Sequence, residues 1–328
     1  MLETATDIQT HTLGYWAVKT IKQHLETLNR HESEILKDDN PEELHQMRVE
    51  MRRLRAAIIV FDRVLDLPDS AEYQNIDDIS RRLEKLRDLD ILLETLQNRY
   101  YPYLSASEQE TLDHILIHWV RQRYKALRVV AWILDHKIYK NFKKDLQYWV
   151  KNPRFTSLDS FSINEVIPDF LLPHISELFL HPGWHVGRTQ TDFISLEILE
   201  EILNKQGKLL HSLRKQTKQV RYQMDLFTGF YSSKYLDYLE NLKAIQECLG
   251  NIHDTMVLEE KLTQEVSSHL KSKLPTFANL LTQNRYKYWQ EWEQLRHPYL
   301  KSEIRYGFHI ELLHPVNAKK SIQFGIGN

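Results

Sequence analysis

Two stretches of this chain carry a histidine followed by basic residues at helical spacing. The first holds His45, Arg48, Arg52 and Arg55, the second His211, Arg214, Lys218 and Arg221. At about 100° per residue, each set falls within roughly 80° of arc on one helix face. Positions seven apart lie about 10 Å apart along the axis, so each face is a row of cations suited to a linear anion. Arginine's planar fork can donate two hydrogen bonds to phosphate, and lysine supplies a mobile point charge. Histidine near neutral pH donates from one ring nitrogen, or from both when a bound polyanion raises its proton affinity. Taken singly, either set also reads as a solvated basic face with distant salt-bridge partners.

The two sets are in register. A shift of 166 residues places LHQMRVEMRRLRAAIIVF at 44–61 on LHSLRKQTKQVRYQMDLF at 210–227 without a gap. Further along, Asn75, Ile79, Leu83, Asp88, Leu92 and Leu96 fall on Asn241, Ile245, Leu249, Asp254, Leu258 and Leu262. Apolar matches recur in any pair of helical bundles, but the His, Arg, basic and Arg matches need not, so two related helical halves are expected. Like charges this close repel unless carboxylates answer them. In the first copy Glu50 is the one nearby acid along the chain. In the second, the 23 residues between Glu201 and Asp225 hold no acid, yet they carry Lys205, Lys208, Arg214, Lys215, Lys218 and Arg221.

Other charged groups are less telling. Arg121, Arg123, Lys125 and Arg128 form a second cluster, in which Arg121, Arg123 and Arg128 either add to the groove or face solvent. Lys137, Lys140, Lys143 and Lys144 read as surface charge, and Arg87 in LRDLD as an internal ion pair with Asp88 or Asp90. Trp and Tyr within 119–149 fall at helical spacing and read as core rather than as a base-stacking platform.

The elements that must position these faces are helices. Nine Gly and ten Pro in 328 residues disfavour many short strands, and the fold class expected is all-α. Helices are predicted over 13–36, 41–65, 71–98, 106–127 with 129–150 (one long or two shorter), 193–231, 234–263 and 268–296. Asn40 followed by Pro41 reads as an N-cap with proline in the first turn. Residues 1–150 read as a first bundle and 193–296 as a second. The proline-bearing stretch 151–192 reads as an irregular connector and 297–328 as a non-helical tail. A formal net charge of −2 gives the chain no general attraction for anions. Cys248 is the one cysteine, so no intrachain disulfide forms, and it reads as a small core residue. The start, MLETATDIQT, lacks a signal-peptide pattern, and no run of 18 apolar residues occurs. A soluble cytoplasmic protein without membrane attachment is expected.

At these residues the sequence resembles a CHAD domain, the conserved histidine α-helical domain family. The first signature is ELHQMRVEMRRLRAAIIVF at 43–61 with LRDLDILLETL at 86–96. The second is LHSLRKQTKQVRYQMDLF at 210–227 with LGNIHDTMVLEEKL at 249–262. The resemblance spans about residues 13–296. It implies two antiparallel four-helix bundles related by a pseudo-two-fold axis with a basic channel between them. It also implies inorganic polyphosphate as the partner, and recruitment to polyphosphate granules. Carried onto matching positions, the binding residues are His45, Arg48, Arg52, Arg53 and Arg55, then His211, Arg214, Lys215, Lys218 and Arg221. Gln219 stands opposite Arg53, and His253 stands where the second repeat more commonly has Asn. The stretch HPGWHVGRTQ at 181–190 and the tail lie outside the resemblance.

Two other classes compete. An RNA- or DNA-binding module would use the same cations with stacking aromatics, of which Tyr222 is the one near the basic faces. A metal- or phosphohistidine-dependent phosphate enzyme is the other. Glu42 and His45 give the E-x-x-H spacing of di-iron bundles, but Lys208 replaces the acid in the second copy. No nucleotide-binding loop, HExxH, or alternating-Glu triphosphatase pattern occurs, so no catalytic residue, cofactor or metal is assigned.

Overall fold

Several helix starts in this chain are set by side chains that accept the first free amides. Thr12 caps α1 (Leu13–Ile35) and Asn40 caps α2 (Pro41–Val60), where its side chain accepts from Glu42 N–H at 3.0 Å and proline opens the first turn. The computed structural model describes residues 11–188, 194–267 and 269–316. Among these the chain is all-α and helix-rich, with two isolated bridges and no named strand. The chain start, the end of the 181–190 stretch and the last part of the tail lie outside the described residues.

Contacts divide the chain into two units, 1–96 with 116–166, and 97–115 with 167–328. The first unit packs α1 on α2 through Ala17, Ile21, Leu25 and Leu28 against Met47, Met51, Leu54 and Ile58, all buried. Asp38 turns the chain between them at φ 55°, a left-handed position that Asp tolerates. Next come α3 (Tyr73–Arg82) and α4 (Glu84–Thr95), separated at the buried Leu83, where one helix was expected over 71–98. Helix α5 (Ala106–Asp135) follows, then α6 (Lys137–Lys151), with the break at His136, whose Nδ1 accepts from Ile138 N–H at 3.3 Å.

The second unit holds α8 (Leu196–Asp225), α9 (Ser233–Glu265), the short α10 (Leu270–Lys273), α11 (Pro275–Arg296) and α12 (Ser302–Leu312). Helix α9 packs against α8 and α11. The segment 97–115 belongs here. Ser105 and Glu108 form a reciprocal capping box at the start of α5, and Glu108 also accepts from the Thr276 and Phe277 amides at 2.7 and 3.2 Å.

Two expectations are corrected. The stretch expected to be an irregular connector contains α7 (Ile163–Phe179), which runs through Pro168 and Pro173. Its stripe of Ile163, Ile167, Leu171, Ile175 and Leu178 is at most 1% exposed. Each interior proline costs about 3 kcal/mol and each such burial contributes about 1.5–3 kcal/mol, so five outweigh two. The tail, expected to be non-helical, forms α12, because Phe308 and Leu312 are fully buried and Phe308 packs on Tyr238 at 4.3 Å and Phe179 at 5.5 Å. The expected boundaries at 150 and 193 are also displaced, since α5 and α7 each divide between the two units.

Candidate functional site

The first basic face stands on α2, beside the seam of Leu44, Met47, Met51, Leu54 and Ile58. His45, Arg48, Arg52, Arg53 and Arg55 are all partly exposed. Arg48 donates to the Glu84 carbonyl at 2.9 Å and to its carboxylate at 3.1 Å, at the first residue of α4. Arg52 Nε donates to the Arg48 carbonyl at 3.2 Å. Arg53 donates to Glu50 at 2.7 Å, and buried Glu50 also meets His24 Nδ1 on α1 at 2.8 Å. Burial raises the Glu50 carboxyl, but these two partners hold it below the ordinary carboxylate range. Arg55 donates to the Tyr73 hydroxyl at 2.9 Å, pairs with Asp77 at 2.5 Å and lies 5.2 Å over the Tyr73 ring. Glu50 is therefore not alone: Asp77 and Glu84, remote in the sequence, also answer this face.

His45 is held below the usual histidine range, first by burial and then by Arg87, with Arg52 and Arg48 adding and Glu42 opposing. Arg87 thus belongs to this cluster. Of the two acids expected beside it, Asp90 receives Arg123 Nε at 2.7 Å and feels Arg87 as a further charge, and Arg87 Nε is buried without a hydrogen-bond partner among the described residues. Arg123 also grips Asp38 with both terminal nitrogens, at 2.7 and 2.6 Å, so it braces the α1–α2 turn rather than adding to a groove.

The second face stands on α8. His211 packs its ring on His253 of α9, with centroids 4.0 Å apart. Arg214 lies against Gly250, where a Cβ would come within 3.3 Å of its Nε. Arg221 Nε donates to the neutral Gln246 amide oxygen at 2.9 Å, and its guanidinium lies 4.3 Å over the Tyr222 ring. Lys215 is exposed and Lys218 partly so. Burial, then Arg214, Lys215 and Lys218, hold His211 below its usual range. His253 is pushed down to about 4 by burial, His211 and Arg214. The Asp254 carboxylate lies within electrostatic reach of Arg214, Arg99 and Lys218. His211 Nδ1 and Arg214 Nε are buried and unbonded among the described residues.

Sequence reasoning named Arg87 and His253 without placing them beside the basic faces, and it passed over Arg99. The repeat carried a signal for two of them, because the same 166-residue shift that joins His45 to His211 joins Arg87 to His253. Arg99 had no such signal, since 97–115 folds with residues far along the chain.

Arg121 and Arg128 are exposed on α5, and no described hydrogen bond or ion pair joins them to α2. They alternate with Ile117, Tyr124 and Trp132, which are 52%, 58% and 55% exposed. The expectation that the aromatics of this region are core holds for Trp119, Tyr139 and Trp149, which are buried, but not for Tyr124, Trp132 and Tyr148. Of the lysines at 137–144, Lys140 pairs with Asp135 and Lys143 with Glu32. Among the described residues no group of three or more His, Cys, Asp or Glu is placed to hold a metal, and no helix is long and apolar enough to cross a membrane.

The CHAD domain family model matches residues 19–263 of this helix-rich chain, and the chain belongs to the CHAD domain family. Among solved structures, the chain is similar to the CHAD domain from the plant Ricinus communis. The two share 25% identity with a TM-score of 0.56, over 90% of this chain and 91% of that one. It is also similar in fold to PptA from Streptomyces chartreusis, at 14% identity and a TM-score of 0.59, over 88% of this chain and 97% of that one. No curated protein matches the chain.

Proposed function

We propose that the protein binds inorganic polyphosphate, without transforming it, on the basic faces of α2 and α8. The observation that carries this reading is the repeated face itself. Histidine, arginine, a basic residue and arginine recur in register on a chain whose net charge is −2. The contacts proposed are His45, Arg48, Arg52, Arg53 and Arg55, with His211, Arg214, Lys215, Lys218 and Arg221. Buried nitrogens without hydrogen-bond partners among the described residues, Arg55 Nε and Arg87 Nε on one face and His211 Nδ1 and Arg214 Nε on the other, support it. Such groups are rare unless a ligand or water answers them. The proposal includes what the family resemblance implies: two four-helix bundles, a pseudo-two-fold axis, a shared basic channel and attachment to polyphosphate granules in the cytoplasm.

A second reading is single-stranded nucleic acid, favoured by the exposed Tyr124 and Trp132 interleaved with Arg121 and Arg128 on α5. Aromatic faces stack bases while arginines meet the backbone. One experiment separates the two: titration with long-chain polyphosphate and with single-stranded RNA over a salt series, with Arg48→Glu, Arg214→Glu and Trp132→Ala alongside. Polyphosphate is expected to outcompete RNA, and each charge reversal to weaken it and flatten the salt slope. Loss of RNA binding in Trp132→Ala, with RNA the tighter ligand in the wild type, would favour the second reading instead.

A further inference from the structure

We infer that the two basic faces are not equivalent: the α8 face is the primary polyanion site, and the α2 face is largely neutralised by its own carboxylates. This rests on the polyphosphate reading above and assigns a division of labour within it.

Three acid positions of the first face, compared with their counterparts in the second, set the difference. On the first face, Arg48 meets Glu84, Arg53 meets Glu50 and Arg55 meets Asp77, at 3.1, 2.7 and 2.5 Å. The shift of 166 carries those acids onto Gly250, Gln216 and Lys243, and the arginines onto Arg214, Gln219 and Arg221, so two arginines keep their charge without the acid and the Arg53–Glu50 pair becomes neutral on both sides. Every carboxylate that answers an arginine in the first copy is replaced in the second by a residue without negative charge. The geometry agrees with the sequence. Arg214 lies where its counterpart would find Glu84, but the place is a glycine, and the guanidinium rests on bare helix backbone. Arg221 meets a neutral amide where Arg55 meets Asp77. Asp254 senses Arg214 at longer range, and its counterpart Asp88 exists in the first copy, so it does not alter the contrast.

Neutralisation matters because a phosphate chain entering the first face must displace those carboxylates or bind beside them. Glu84 is 53% exposed at its side chain, so it is placed to repel an incoming anion as well as to hold Arg48. On the second face neither Arg214 nor Arg221 makes an ion pair among the described residues, so the anion has no carboxylate to displace from them. The first face keeps His45 and Arg87 for a weaker, secondary contact.

The test is reciprocal exchange of one position. Long-chain polyphosphate is titrated into the full-length wild type and into Arg48→Gln, Arg214→Gln, Glu84→Gln, Gly250→Glu and Gly250→Gln. Circular dichroism and thermal unfolding check that each variant folds. Arg214→Gln and Gly250→Glu are expected to weaken binding on the order of tenfold, the loss of one charge-assisted contact. Arg48→Gln is expected to cost less than about threefold, and Glu84→Gln to tighten binding, because it removes a competing carboxylate. Gly250→Gln separates charge from bulk and should bind far better than Gly250→Glu. Equal losses in Arg48→Gln and Arg214→Gln, no gain in Glu84→Gln, or equal damage from Gln and Glu at 250 would each overturn the inference while polyphosphate binding stood. A wild type that binds no polyphosphate at low salt would overturn the parent reading and this one together.

Discussion

At the scale of single residues, the histidines are the informative groups. His45, His211 and His253 all sit below the usual histidine range because burial and neighbouring cations penalise the imidazolium. His253 has fallen to about 4, facing His211 and Arg214. A depressed histidine leaves the unfolded chain binding more protons than the folded one. Its contribution to stability is therefore intact above about pH 6.5 and is lost as pH falls towards the folded value, near 4 for His253. On the polyphosphate reading proposed above, bound phosphate would reverse the sign of the local field and raise these pKa values, so binding is expected to take up protons and to tighten as pH falls from about 7 to 5. Two outcomes are expected. The ligand-free protein melts at lower temperature at pH 5 than at pH 7, and His253→Asn reduces that difference. In the bound state, polyphosphate restores more melting temperature at the lower pH. A pH slope identical in wild type and His253→Asn would remove His253 from the account. The sequence made His45 and His211 legible by spacing alone. It hid Arg87 and His253 as their neighbours, since which helix lies against a given face is a matter of packing and not of period.

At the scale of elements, the helices with strong apolar periodicity and clean caps were legible, and those carrying breakers were not. Pro168 and Pro173 suggest irregular chain, yet the buried stripe from Ile163 to Leu178 overrides them. Gly307 in the tail looks like a helix breaker. In α12 it makes room, because a Cβ there would meet the Tyr238 hydroxyl at 2.7 Å. Glu108 shows the same limit. Ser105 with Glu108 is the S-x-x-E of a capping box, but the second use of that carboxylate, on the first amides of α11, joins residues 168 apart in the chain. Its side chain is 2% exposed as a residue and accepts from the Ser105 amide and hydroxyl as well. Burial raises its carboxyl, and these hydrogen bonds more than offset that, leaving it below the ordinary range. Glu108→Ala strips an acceptor from two helix starts at once and is expected to cost about 2–4 kcal/mol in chemical denaturation. Glu108→Gln, which keeps an oxygen but adds a donor, should cost less. A loss below about 0.5 kcal/mol in Glu108→Ala would mean that water satisfies those amides as well as the carboxylate does.

For the whole molecule, the net charge of −2 supplies no general field for anions, so the proposed anion binding has to come from local faces. The folding units are likewise not contiguous in sequence. A division at residue 150 follows naturally from composition, where prolines cluster, but residues 97–115 fold with 167–328. Within that unit the Tyr100 ring packs on Phe277 at 5.0 Å, the Tyr100 hydroxyl receives Asn284 at 3.3 Å, and Glu108 caps α11. Arg99 brings positive charge to Asp254 beside the α8 face. A fragment of residues 151–328 therefore loses core, a helix cap and a cation that its sequence alone does not reveal. Such a fragment is expected to show reduced helicity and a broad, weakly cooperative thermal transition. A synthetic peptide of residues 97–115 added in excess should raise both helicity and melting temperature, as any ligand of the folded form does. Tyr100→Ala in that peptide should diminish the rescue, since it removes the ring that packs on Phe277. If the fragment alone melts in one sharp transition, unaffected by the peptide, then residues 97–115 only lie on a unit already complete without them, and the boundary suggested by composition is the thermodynamic one.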